Sequence, residues 1–314
     1  MIPYSIIDAH CDTLTMLEEG QHLLDCPKHY NLKKQAEYAR FLQVMDLWVD
    51  KGEHDVDARV DRYIDFYHQE VERIGFVETI LSRSQLEAHF TAPETAKQAW
   101  LLGIEGGECV DESMERLHHL FERGVRLITL TWNTPNRISD TNVTAREGAE
   151  GLTPYGREIV REMNRLGMVI DVSHISDPGF WHVLEESKMP IVASHSNART
   201  LCNHSRNLTD DMFRGLIQNG GVTGMNFCTE FLGGSEDVEQ IVRHIEHFAA
   251  LGGIDHIGMG SDFDGIDELP GGIQGTESLY KIFDRLLTLN YTDQQVEGIA
   301  WKNFYRVLRR VLPE

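Results

Sequence analysis

Basic residues are scarce in this sequence. The 314 residues include 29 Lys and Arg against 50 Asp and Glu, a formal net charge of −21. A field of that sign repels phosphate backbones and anionic headgroups, which argues against nucleic acid and membrane surfaces as partners. Cysteines are also few. Cys11, Cys26, Cys109, Cys202 and Cys228 are odd in number and form no CxxC, so neither a zinc ribbon nor a disulfide framework is indicated. Reduced thiols fit a reducing compartment. No apolar run approaches the roughly 18 residues of a membrane span. The start, MIPYSIIDAH, lacks a basic stretch followed by an apolar one, so no signal peptide is read and a cytoplasmic location is expected. No GxGxxG or GxxxxGK[ST] follows an early strand, and no GxSxG elbow is present. These absences lower nucleotide binding and an esterase-type serine nucleophile.

What is present is alternation. Eight short runs rich in Val, Ile and Leu read as strands buried on both faces: Ser5–Asp8, Phe41–Leu47, Trp100–Ile104, Arg126–Thr131, Val169–Val172, Ile191–Ser194, Val222–Asn226 and Ile257–Gly260. Helix-like segments separate most of them: Val56–Gly75, Ser113–Arg123, Pro154–Leu166, Pro178–Ser187, Thr209–Asn219 and Glu236–Leu251. Gly124, Gly167, Gly220 and Gly252 stand where helix C-terminal caps belong. Strand–helix alternation implies parallel βαβ units. Eight strands favour an α/β fold of the closed (β/α)8 TIM-barrel type over an open doubly wound sheet. Two further C-terminal helices are expected over Glu277–Thr288 and Asp293–Leu312, after a loop at Leu269–Gly275. With no repeat, low-complexity segment or linker in view, residues 1–314 are expected to form one barrel domain.

The ends of the runs carry the chemistry. The first closes in Asp8-Ala9-His10-Cys11-Asp12, where period-2 geometry aims His10 and Asp12 to one side and Cys11 to the other. The third closes on Glu105 followed by two glycines, the fifth on Asp171-Val172-Ser173-His174, the sixth on His195, and the eighth on Asp262-Phe263-Asp264-Gly265. In an α/β barrel these C-terminal ends build the active site. Nitrogen and oxygen ligands of this kind suit zinc, and sometimes manganese or cobalt. Three His with two or three carboxylates exceed what one tetrahedral zinc needs, and two metals sharing a carboxylate account for the surplus. Each residue alone has a plainer explanation: a core histidine, a polar strand end, an Asx-turn. Repetition at one end of different strands is what favours a metal site. His118, His119, His244 and His247 read as helix-surface or helix-packing residues. Lys302, Arg306, Arg309 and Arg310 read as complements to a helix dipole.

At these residues the sequence resembles the renal (membrane) dipeptidase family of zinc peptidases, in its soluble bacterial type. The matching pieces are DAHCDT, GIEGGE, LTLTWN, DVSH, SHSNAR with HSRN, GSDFDG and the ending NFYRVLRRVL, in order along nearly the whole chain. The resemblance implies a barrel with two zinc ions. His10 and Asp12 would hold one, His174 and His195 the other, and Glu105 would bridge them. Arg206 would pair with the substrate's free carboxylate, and Asp262 would act as acid and base. The implied reaction is hydrolysis of free dipeptides, including those with a C-terminal D-residue, by a hydroxide shared between the metals. The implied partner is thus a small-molecule dipeptide, with no nucleic acid and no membrane; whether the chain forms a homodimer is left open.

One segment departs from the family. Better-known members carry a His after the fourth strand, where this chain has Trp132 followed by Asn133. Both are taken as candidate substrate-binding residues, since an indole N–H and an amide can donate. Two other readings stay open. One is a barrel metallohydrolase of the broader amidohydrolase type acting on another amide, ester or lactone. The other is a non-catalytic metal- or small-molecule-binding protein.

Overall fold

A computed structural model describes residues 2–49, 52, 55–92, 97–143, 151–234 and 237–314. Its strands are β1 (Ile2–Asp8), β2 (Tyr38–Trp48), β3 (Glu78–Thr79), β4 (Gln98–Glu105), β5 (Val125–Thr129), β6 (Val169–Asp171), β7 (Val192–Ala193), β8 (Val222–Met225) and β9 (Ile257–Met259). All pairings are parallel. β1 pairs with β2 and β9, β2 with β4, and β4 through β9 pair in succession. Eight strands thus close a (β/α)8 barrel, and the eight expected runs correspond to them. The additional strand, β3, pairs only with the start of β4. Two residues without an apolar run give no sequence signal for it.

Strand ends shift by one or two residues from the expected ones, the ordinary scatter of such boundaries. Leu130 and Thr131, for example, lie beyond β5. Helices Val56–Ile74, Met114–Glu122, Pro154–Leu166, Asp177–Glu186, Asp210–Asn219 and Glu239–Ala250 match the expected six. Glu236, the expected start of the last, lies outside the described residues. Ser or Thr side chains cap four of these helices, at Ser113, Thr153, Ser176 and Thr209. Helix Arg83–Thr91 was not anticipated. The C-terminal pair becomes Tyr280–Thr288 and a longer helix whose middle, Gly298–Lys302, winds as a π turn between Asp293–Glu297 and Asn303–Val311. Arg306 of that helix donates to the backbone carbonyls of Gly220 and Asp255, and Arg309 pairs with Glu87. These basic residues therefore pin the helix to the barrel.

Strand register explains why one end of the barrel is polar. Ile7, Leu42, Ala99, Leu127, Val169, Val192 and Val222 form one apolar cluster with Phe304, Val307, Leu308 and Val311 of the last helix. Residues two apart on a strand share a face. Moving toward the strand C-termini on this same face, Thr129, Asp171 and Ser194 come next. Asp46, Trp48 and Glu105 follow. The barrel interior is thus apolar where the last helix closes it and polar at the opposite mouth. Among the described residues, no helix is long and apolar enough to cross a membrane.

Candidate metal centre and substrate pocket

The polar mouth gathers six of the expected residues. Glu105 Oε1 lies 3.0 Å from His174 Nε2, 3.3 Å from His195 Nε2 and 3.8 Å from His10 Nε2. His10 Nε2 is 3.3 Å from Asp12 Oδ2 and 3.8 Å from Asp262 Oδ1. Three overlapping groups have ligand atoms close enough to share an ion: His10, Asp12 and Glu105; Glu105, His174 and His195; His10, His195 and Asp262. All six residues are buried. His174 and Asp262 both adopt left-handed backbone, with φ of 65° and 62°. That conformation is uncommon for residues with a Cβ and tends to occur at functional sites.

Each imidazole is held from behind. His174 Nδ1 lies 3.0 Å from Asn133 Oδ1. His195 Nδ1 lies 2.7 Å from Ser194 Oγ, and that hydroxyl donates to Asp171 Oδ2 at 2.6 Å. Asp171 also accepts from Thr129 Oγ1 and from the backbone N–H groups of Ser173 and Ser194. His10 Nδ1 lies 3.1 Å from Asp46 Oδ2. A Cβ at Gly103 would overlap Asp46 Oδ1, so the glycine is what leaves room for that carboxylate. Gly265 does the same beside Asp12 and Asp262.

These partners fix the tautomers. Asn133 Oδ1 can only accept, so His174 Nδ1 donates. The Ser194 hydroxyl proton goes to Asp171, so His195 Nδ1 also donates. Both Nε2 atoms are then bare lone pairs, and they face each other at 3.1 Å. Burial, then the positive charge of Arg206 or His10, keeps both rings well below their usual pKa and hence neutral. Two lone pairs at that distance repel unless a cation lies between them. The carboxylates are crowded in the same way. Burial pushes Glu105 and Asp262 up against the pull of His10, with the nearby Asp12 charge adding to the rise, while Asp46 is raised to about 6 by burial. His10 goes the other way: burial opposes its charge, but Asp46, Glu105 and Asp12 outweigh that and hold it well above its ordinary value. Among the described residues, both ring nitrogens of His10, Asp12 Oδ1 and both Asp46 oxygens are buried without a hydrogen bond, so Asp46 faces His10 as a charge at 3.1 Å. Neutral imidazoles, buried carboxylates and orphaned donor atoms fit divalent cations, as the residue types do.

A cavity of about 690 Å³ opens over this cluster. Asp12, Glu105, His174 and Asp262 form its floor; Trp48, Trp132, Asn133, Cys228, Glu230 and Phe231 are among the walls. Trp132 and Asn133 therefore both enter the site. Trp132 packs edge-on against Trp48, with ring centroids 4.9 Å apart. Asn226 Nδ2 donates to Asp262 Oδ2 at 2.8 Å, which leaves Oδ1 toward His10. Arg206 is buried and is not itself a wall residue. Its Nη2 donates to the His195 carbonyl at 3.2 Å, its Nε has no partner among the described residues, and its Cζ lies 5.5 Å from the ring centroid of Phe231. Asp264 also lines the cavity, with its carboxylate accepting from Thr13 Oγ1 and the His29 backbone N–H. Trp48, Asp46, Asn226 and Phe231 were not singled out from sequence. Asp46 falls inside an apolar run, and Phe231 comes from the one-turn helix Thr229–Leu232.

Comparison with known proteins gives the same direction. A family model described as membrane dipeptidase, peptidase family M19, matches residues 2–312. An uncharacterized dipeptidase of Schizosaccharomyces pombe is 38% identical over 224 residues, 68% of this chain and 53% of that protein. Dipeptidase 3 of Macaca fascicularis is 34% identical over 238 residues, 73% of this chain and 49% of its own length. The matches thus span about half the length of these two curated relatives. Among solved structures, a Rhodobacter sphaeroides metallo peptidase, liganded with a phosphinate mimic of the dipeptide L-Ala-D-Ala, superposes with a TM-score of 0.85 at 24% identity. It covers 98% of this chain and 99% of that one. An M19 dipeptidase superposes with a TM-score of 0.86, also at 24% identity, covering 99% of both chains. At that identity the two structures speak for the fold alone. The family match over residues 2–312 makes the chain a member of the membrane dipeptidase family, peptidase family M19.

Proposed function

We propose that this chain is a zinc-dependent dipeptidase with two ions per subunit, hydrolysing the peptide bond of free dipeptides, including those with a C-terminal D-residue. The observation that carries the reading is Glu105 Oε1, within 3.0–3.8 Å of three imidazole Nε2 atoms. His10 and Asp12 would hold one ion and His174 and His195 the other, with Glu105 common to both sets. When bound, the ions supply a water of lowered pKa and a Lewis acid for the amide carbonyl.

The chain's own residues do the rest. Asp262, fixed by Asn226 at one oxygen, offers the other to the attacking water, takes its proton and returns it to the leaving amine. A carboxyl raised by burial is suited to both halves of that task. Arg206 supplies a planar guanidinium to the substrate's C-terminal carboxylate, with Phe231 as the wall it must be reached past. Trp132 and Asn133 line the substrate's side of the cavity, and Asn133 holds His174 in the tautomer that ligates. Glu230, Asp267 and Glu268 also line the cavity, and among the described residues no Lys or Arg does; this acidic lining disfavours substrates with acidic side chains. The L-Ala-D-Ala mimic on the Rhodobacter peptidase supports a dipeptide as the substrate class. Five unpaired cysteines support a cytoplasmic setting.

The experiment is amine release from paired substrates by the zinc-loaded protein: L,L and L,D dipeptides with free ends, and the same dipeptides blocked as C-terminal amides. Cleavage of the free forms alone is expected. Equal cleavage of blocked forms, or of lactones and cyclic amides instead, would favour the broader amidohydrolase reading.

A further inference from the structure

The three ligand imidazoles are backed by three different chemistries. Behind His10 stands a fully buried carboxylate, Asp46, at 3.1 Å. Behind His195 stands a hydroxyl, Ser194, which donates its own hydrogen bond to the Asp171 carboxylate. Behind His174 stands a neutral amide, Asn133, at 3.0 Å. Asp46 meets His10 as a close negative charge rather than through an aligned hydrogen bond, and a charge of that sign beside the far nitrogen favours a cation on the near one more than a neutral amide does. Charge is distributed the same way. The His10 group contains two carboxylates, Asp12 and Glu105, with Asp262 Oδ1 at 3.8 Å. The His174 and His195 group has only Glu105, which it shares, and Arg206 donates to the backbone carbonyl of His195. A fixed cation beside that group opposes the entry of another.

We infer that the two ligand groups are unequal: the one at His10 and Asp12 takes up a divalent cation first and tightly, the one at His174 and His195 last and loosely, with Asp46 and Asn133 as the positioning residues that set the order. This rests on the metal-centre reading above. It gives the chain an exchangeable second ion. Occupancy of the second position then becomes the step at which metal supply governs the enzyme.

The test is stoichiometric titration of the metal-stripped full chain with Co2+ against a competing chromophoric chelator. Two steps are expected, separated by about tenfold or more in affinity. Asp46→Asn should weaken the first step by about 10–100-fold, the usual cost of losing an outer partner, and leave the second in place. Asn133→Asp, an isosteric change that puts a carboxylate behind His174, should tighten the second step and narrow the gap. It keeps the inference open to refutation even if Asp46→Asn fails to fold. Two steps of equal affinity would overturn the inference, as would a tight step that follows Asn133 rather than Asp46. Absence of any uptake would remove the metal-centre reading itself, a distinct result.

Discussion

Glu105 Oε1 sits 3.0 Å from His174 Nε2, although the two residues come from the ends of strands that are not neighbours in the sheet. They project inward across the intervening strand β5, and the contact ties one carboxylate to both ligand groups. Glu105→Ala should therefore lower metal content at both positions, whereas His195→Ala should empty mainly one. Metal analysis of the purified variants checks this. The loss of affinity should exceed the roughly 10–100-fold typical of outer partners. Full activity in either variant would contradict the assignment.

Asp262→Asn keeps the side chain's shape and removes its proton traffic. Metal content should stay near that of the wild type, while kcat falls by about 10²–10⁴, the range general acid–base catalysis supplies. Near-wild-type turnover would show that another group carries the proton.

Arg206→Ala should raise KM for free dipeptides by about 10–100-fold, as expected from a charge-assisted bond of about 1.5–3 kcal/mol. Arg206→Lys should not restore it, because an ammonium lacks the planar fork. Steady-state kinetics with free and amide-blocked dipeptides decides the point: if both respond alike to the substitution, Arg206 does not read the carboxylate.

His244 predicts a pH dependence of stability away from the catalytic site. Its Nδ1 accepts from the Ala198 backbone N–H and its Nε2 lies 3.2 Å from the Leu232 carbonyl, an arrangement that only the neutral ring satisfies. Burial brings its pKa down from 6.5 to about 4. Between those values the unfolded chain binds the proton and the folded chain does not, so stability is lost as pH falls through that window. The contribution is at most about 3 kcal/mol. Urea unfolding from pH 7 to pH 4 should show His244→Gln losing less stability than the wild type. Parallel curves would refute it.

Much of this was legible in the sequence because barrel strands end in local, recognisable strings. His10, Asp12, Glu105, His174, His195 and Asp262 each fall within four residues of the end of an apolar run, and the structure brings all six together. What escaped notice depends on pairing across strands. Asp46 reads as an interruption in Val44-Met45-Asp46-Leu47 until the register places it beside Gly103 and under His10. Asp171 and Ser194 read as strand ends, yet they form the relay behind His195. Phe231 sits in a one-turn helix too short to show periodicity, and Glu78–Thr79 is a strand too short to show alternation.

The central claim is that this buried cluster is a hydrolytic metal centre for dipeptides. The most direct measurement is amine release from free L,L and L,D dipeptides by the zinc-loaded protein, before chelation, after chelation and after zinc is restored. The account predicts cleavage that chelation abolishes and zinc returns. Absence of cleavage at full zinc occupancy, or cleavage indifferent to chelation, would contradict it.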